Sequence, residues 1–282
     1  MISYASRPTL NLAAISFART LRIYRKPMNR FSAFATHLGI SFIIFLGLAY
    51  LIVYQWYPGM FFDTDGGWRG MRIIFAVDLV LGPLLTLTVF KAGKPGLKFD
   101  LTAIATLQFV CLLAGTFIVY SERPIAVVYN DGRFTVTTSD DYADNSDTGV
   151  PDLKHFPGSN PKWVMVNTPS DLVENAELMI ETYRSGGLLS SRADLYIPFS
   201  NEDQNFLSAS TNTKLLREQK RWSMSLDSWL EVRGGTDDDY RFYTFTTRYS
   251  FGFLIYDRVT NKKIGLITSE PLSKASQIIS LD

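Results

Sequence analysis

Long apolar runs crowd the first 120 residues, and shorter alternating or mixed patterns fill the rest. Three runs keep about 20 mostly apolar residues together, the length that crosses a bilayer as a helix. They extend from His37 to Tyr57, from Met71 to Phe90 and from Phe99 to Tyr120. Tyr54, Trp56, Tyr57 and Trp68 gather near one set of ends, where amphipathic rings favour the headgroup layer. Three buried helices of a soluble core would fit the run lengths but not these flanks.

Beyond Ser121 the pattern becomes that of a mixed α and β domain. IAVVYNDGRFTVTT predicts a hairpin turning at Asn130-Asp131-Gly132. An acidic, Pro- and Gly-rich loop follows over 139–161, and Trp163 to Val166 suits a short buried strand. Thr168-Pro169-Ser170-Asp171 starts a helix whose apolar positions are Leu172, Val173, Ala176, Met179, Ile180 and Tyr183, with Gly186 and Gly187 ending it. A second helix is expected over Asn212 to Trp222. YRFYTFTTRY and FGFLIYDRVTNKKIGLI predict three strands, the last two a hairpin across Asp257 to Lys263. No internal repeat is visible. The expected fold class is therefore an α+β membrane protein: three transmembrane helices followed by a C-terminal mixed α/β extracytoplasmic domain. Its parts are a basic flank over 1–36, a membrane region over 37–120 and the soluble domain over 121–282.

Charge sets the expected orientation. Arg7, Arg19, Arg22, Arg25, Lys26 and Arg30 precede the first acid, Asp63, and Lys91, Lys94 and Lys98 lie in the second loop. The first loop carries Arg69 against Asp63 and Asp65. Positive residues stay on the cytoplasmic side, so the N-terminus is expected there and the C-terminal domain opposite, in the periplasm of a bacterium. The first run is too long for a signal peptide and lacks a small-residue cleavage site, so it reads as a retained anchor. Residues 1–27 are Arg-rich and free of acid. They read either as an organellar transit segment or as an extension upstream of a start at Met28.

The net charge of +1 points away from nucleic acid. One cysteine, Cys111, and two histidines, His37 and His155, support neither an internal disulfide nor a His-based metal site. Phosphate-loop, dinucleotide, nucleophile-elbow and zinc-protease motifs are missing from the sequence. Asp144, Ser146, Thr148 and Gly149 imitate the start of a calcium loop, but position twelve is His155, where Glu is needed. The triplet Asp237, Asp238 and Asp239 reads as a solvated turn. No cofactor and no enzymatic activity are expected.

Asp78 is the one carboxylate deep in an apolar run, at a cost of about 2.5 to 3.5 kcal/mol on insertion scales. With Gly82 and Thr86 it forms a strip at i, i+4 and i+8, and Pro83 frees a backbone acceptor beside it. The strip either bonds within the bundle, to Thr102, Thr106 or Gln108, or docks a partner's membrane helix. Asp63, Asp65, Trp68 and Arg69 in FFDTDGGWRG form a second candidate cluster, read as a structural turn with interface aromatics.

Together MNRFSAFATHL from Met28, Trp56-Tyr57-Pro58-Gly59, Gly66-Gly67-Trp68, VDLVLGPLLTL, KPGLKFDL and GTFIVYSERPIAVVYNDGRF resemble the TfpX/TfpZ-type accessory proteins of type IV pilin. FLIYDRVTNKKIGLI is similar to the family's closing hairpin, with Asn261 at a glycine position that needs a left-handed turn. The match spans about 28–270 and is looser over 140–240. The resemblance implies an inner-membrane, non-enzymatic protein that assists stability or assembly of a cognate major pilin. It implies the pilin, the inner-membrane pilus machinery and lipid as partners. The pilin's membrane helix bears one acid, so the strip Asp78, Gly82, Pro83 and Thr86 becomes a candidate contact for it, through a carboxyl–carboxylate bond if one acid is protonated. The loose region 140–240 would then select the pilin. The competing readings are a membrane-anchored periplasmic sensor and a pilin-modifying membrane transferase built on Asp63, Asp65, Trp68 and Arg69.

Overall fold

The computed structural model describes residues 28–143, 150–211 and 213–268. Residues 1–27, the calcium-like positions 144–149 and Asn212 lie outside the described residues. Among the described residues three helices are long and apolar enough to cross a membrane: α1 (Arg30–Trp56), α2 (Gly67–Val89) and α3 (Leu97–Ser121). Each begins before the apolar run that announced it, because polar first turns are stabilised locally. Asn29 accepts the Ser32 amide at 2.8 Å to cap α1, and Lys94 bridges Asp100 at 2.6 Å at the start of α3. Their outward sides stay exposed, as in Ile43, Phe99 and Phe117, which suits a lipid environment.

The soluble domain is built on a seven-stranded mixed sheet in the order β4-β3-β1-β2-β5-β6-β7. The strands are β1 (Ala126–Asn130), β2 (Arg133–Thr137), β3 (Lys162–Val166), β4 (Tyr196–Pro198), β5 (Tyr240–Thr246), β6 (Phe251–Asp257) and β7 (Lys263–Thr268). The β1–β2 hairpin turns at Asp131 and Gly132, whose φ values of 44° and 76° are those of a tight primed turn. Asn261 takes φ 54° in the β6–β7 hairpin, the left-handed turn expected of it. Parallel pairing of β2 with β5 joins this half to the β5–β7 meander.

Side chains alternate between two cores. Val127, Tyr129, Phe134, Val136, Met165, Tyr243, Phe245, Leu254 and Tyr256 form one sheet face and share a cluster with Ile52, Tyr57, Met60, Phe61, Ile74 and Val119 from the membrane region. The apolar core therefore runs unbroken from the span ends into the sheet. The opposite face is covered in two patches. Tyr142, Leu153 and Phe156 pack under β1 and β3, and α5 (Lys220–Arg233) sets Trp222 and Leu226 against Phe242, Phe253 and Ile255.

Two expected helices differ in detail. The one predicted over Asn212 to Trp222 breaks at Gln219, and α5 then continues to Arg233. Burial of Trp222 and Leu226, one turn apart, sets the second axis, while Arg217 bridges Asp227 and Asp237. Helix α4 (Leu172–Arg184) is capped by Asp171 and ends where Gly186 takes φ 81°. Its apolar stripe faces out: Leu172, Val173, Met179, Ile180 and Tyr183 are all exposed, and Thr182 is its buried residue. The Arg192 guanidinium donates to Thr182 Oγ1 at 3.2 Å, so a polar contact anchors the side that meets the domain.

Candidate functional site

Two polar clusters stand out, one inside the bundle and one where the bundle meets the sheet. The first is built around Pro83, which has no amide proton to give. Residues Ala76–Leu81 widen into a π-helical segment, and the Gly82 amide reaches back five residues to the Val77 carbonyl. In that spacing Pro83 should serve the Asp78 carbonyl and cannot. Gln108 of α3 supplies the missing donor: its Nε2 lies 3.2 Å from the Asp78 carbonyl and 3.4 Å from Oδ1, and also donates to Ser41 of α1 at 3.3 Å. Gly82 makes room for this, since a Cβ there would run into the Gln108 side chain. One turn on, Thr86 Oγ1 lies 2.6 Å from His37 Nδ1.

The strip Asp78, Gly82, Pro83 and Thr86 is thus the interior seam of α2, and all four residues are buried, Asp78 at 2% exposure. It does not form an outward docking face, and the orphaned carbonyl belongs to Asp78, not to Leu79 as helical spacing alone implies. The seam is polar enough to fix the register of three helices, yet Asp78 Oδ2 and Gln108 Oε1 remain without hydrogen-bond partners. Val80, Leu81 and Leu84 form the exposed side of the same helix.

The second cluster turns FFDTDGGWRG into a joint. Thr64 and Asp65 lie in the link between α1 and α2 and are each 1% exposed. Thr64 donates through Oγ1 to Asp65 Oδ2 at 2.7 Å, and its carbonyl accepts from Thr247 Oγ1 at 2.7 Å and the Tyr249 amide at 3.2 Å. The Arg248 amide donates to Asp65 Oδ1 at 3.4 Å, while its guanidinium pairs with Glu122 just past α3. Arg69 lies 4.2 Å over the Tyr249 ring, and Tyr57 donates to the Val119 carbonyl at 2.8 Å. The β5–β6 turn is therefore bonded onto the α1–α2 link and the residue after α3, and stacks on Arg69 in the first turn of α2. Burial pushes the Asp65 carboxyl up to about 7, against the lowering effect of its bonds to Thr64 and Arg248.

Of the loop residues singled out by sequence, Asp65 and Arg69 belong to this joint. Trp68 is 46% exposed and meets Phe62 with ring centroids 6.1 Å apart, and Asp63 sits half-buried on the same turn. Thr247, Arg248 and Tyr249 were not singled out. Their only sequence signal is the polar break between two β runs. Elsewhere, Asp239 caps its own turn through Thr236, and His155 is exposed beside Phe156. No group of three or more His, Cys, Asp or Glu that could hold a metal exists among the described residues.

Both geometries are built from bonds that join one helix or turn to another. The chain is similar to proteins of Dichelobacter nodosus. It is 27% identical over 170 residues to the fimbrial assembly protein of serogroup E1, a match covering 59% of this chain and 65% of that relative. It is 28% identical over 181 residues to the serogroup I protein, covering 61% and 70%. It is 33% identical over 107 residues to the protein of serogroups C1 and C2, covering 36% of this chain and 81% of that relative. No family model matches the chain. No solved structure matches it. Because it is 33% identical to the C1 and C2 protein over 81% of that protein's length, the chain belongs to the family of the fimbrial assembly proteins.

Proposed function

We propose that this chain is an inner-membrane accessory protein of type IV fimbrial biogenesis, of the TfpX/TfpZ type, that assists a cognate major pilin without acting on it as an enzyme. Family membership carries the reading. The geometry supports it in two ways. Both polar clusters hold elements in place. And the molecule offers apolar surfaces at two levels, Val80, Leu81 and Leu84 on α2 and the exposed stripe of α4.

In this reading the N-terminus is cytoplasmic and the sheet domain periplasmic. A pilin waiting in the membrane packs its apolar helix on the outward side of α2. The seam of Asp78, Gly82, Pro83 and Thr86 acts from inside by fixing the α2 axis and its π-helical bulge. The pilin head meets α4, beside a cleft of about 440 Å³ between Met179, Tyr183 and Leu188 and the β-strand residues Arg133, Thr135 and Thr246. Because α4 falls within 140–240, that region selects the pilin.

Deletion of the gene in its host, with surface fimbriae counted and pilin weighed, tests the reading. Loss of fimbriae with pilin of unchanged mass is the expected result. A changed pilin mass would indicate a transferase instead, and normal fimbriation would sink the proposal. Replacing 140–240 with a relative's segment should then shift which pilin is assembled.

A further inference from the structure

The joint leaves a crevice between the outer ends of α2 and α3. Its volume is about 160 Å³, and its lining includes Gly70, Ile73, Ile74, Gly115, Ile118 and Val119. Ile74 and Val119 form a buried floor, at 3% and 7% exposure, whereas Ile73 and Ile118 are exposed at the rim. The crevice therefore opens sideways, toward where the bilayer lies if the three helices span it. An apolar cavity of this size does not favour water; one of roughly 150 Å³ takes a benzene-sized guest.

The polar end of the crevice carries one cation, Arg69, and two carboxylates, Asp65 and Glu122. Arg69 is exposed and stacks on Tyr249, whereas Asp65 is buried and bonded to Thr64 and the Arg248 amide, and Glu122 is paired with the Arg248 guanidinium. The nearby Arg248 is paired with Glu122 and so is not free. Trp68 and Tyr120, aromatic residues of the kind that mark the headgroup layer, sit at the same level. With both carboxylates already engaged, the exposed planar donor of Arg69 above an apolar slot fits an amphiphile with an anionic head, since guanidinium binds phosphate through two parallel hydrogen bonds.

We propose that this crevice holds one phospholipid of the outer leaflet, its phosphate on Arg69 and an acyl segment between Ile73 and Ile118 on the floor of Ile74 and Val119. The lipid completes the wall where the bundle meets the sheet. The inference rests on the three helices crossing a bilayer with the sheet domain on the periplasmic side, as in the proposed function, and is independent of any pilin contact.

Native mass spectrometry of the full chain, released from nanodiscs of phosphatidylethanolamine and phosphatidylglycerol, tests it. One phospholipid should stay bound under activation that strips the surrounding lipids. Arg69→Gln should lower that occupancy about tenfold, the effect of one charge-assisted contact. Gly115→Leu should lower it by filling the slot. A Cβ at Gly115 meets Ile74 at only 3.8 Å, so Gly115→Ala serves as the folded control that keeps the lipid. No retained phospholipid in the wild type, or equal retention in the Arg69→Gln and Gly115→Leu variants, would overturn the proposal.

Discussion

Two buried aspartates divide the molecule's polar chemistry between them, and their surroundings differ. Asp78 sits among helices, 2% exposed, with one neutral donor, Gln108, shared between its carbonyl and its carboxylate. Asp65 sits between the membrane region and the sheet, 1% exposed, and takes a hydroxyl and a backbone amide from two different elements. The first arrangement repairs a break caused by Pro83 and holds three helices in one register. The second ties a turn of the sheet to the span ends, with an ion pair and a stacked Arg-Tyr pair around it. Burial of a polar group is costly unless it is hydrogen-bonded. The same residue type is thus used for register at one site and for attachment at the other.

The largest effect should come from Gly82→Val. Its added carbons meet the Gln108 amide at the tightest point of the bundle, and overpacking of this kind costs about 1 to 3 kcal/mol. Thermal unfolding in detergent should show a clear fall in Tm, and an unchanged Tm would mean the seam is looser than described. Next is Gln108→Leu, which strips the donor from the Asp78 carbonyl and carboxylate at about 1 to 3 kcal/mol. The double variant Asp78→Leu/Gln108→Leu should recover part of that loss, because the carboxylate no longer needs a partner. A double-mutant cycle showing no coupling would sever the pair.

The joint should respond to pH where the seam does not supply the cause. Asp65 titrates at about 7 when docked and near the ordinary 3.9 when undocked. The docked state therefore binds the proton more tightly. Docking strengthens as pH falls from about 7 toward 4 and levels off above 7. Protection factors of the Arg248 and Tyr249 amides, which correct exchange for its intrinsic pH dependence, should rise over that range, and Asp65→Asn should make them flat. Protection that falls on acidification would reverse the assignment. The smallest effect is expected from Thr247→Val, which loses one bond to the Thr64 carbonyl, a change of about 0.5 to 1.5 kcal/mol read as faster exchange in the β5–β6 turn alone.

Much of the architecture was legible because it follows local rules. Apolar run length announced three helices, Asn130-Asp131-Gly132 announced a hairpin, and Asn261 kept the left-handed turn. Gln108 was among the named partners of Asp78 because membrane polar groups seek one another. What periodicity could not show was direction. The Asp78 strip has the spacing of a docking face and turns inward, because Pro83 orphans a carbonyl that only α3 can satisfy. The α4 stripe has the spacing of a core face and turns outward, because Thr182 and Arg192 anchor the other side. The joint was half visible: Asp65 and Arg69 stood in a flagged motif, but Thr247 to Tyr249 lie some 180 residues away and carry no local signal.

The central claim is that α2 presents its outward side to a pilin's membrane helix while the seam stays inside. Photocrosslinking in piliated cells tests it most directly, with a crosslinking residue at Leu81 or Leu84 and another at Thr86. Adducts from Leu81 and Leu84 to the pilin's N-terminal helix, with Thr86 joined only to α1 or α3 of the same chain, are the predicted result. Pilin captured from Thr86, or no pilin captured from Leu81 and Leu84 in cells that still need this protein for fimbriae, would contradict the account.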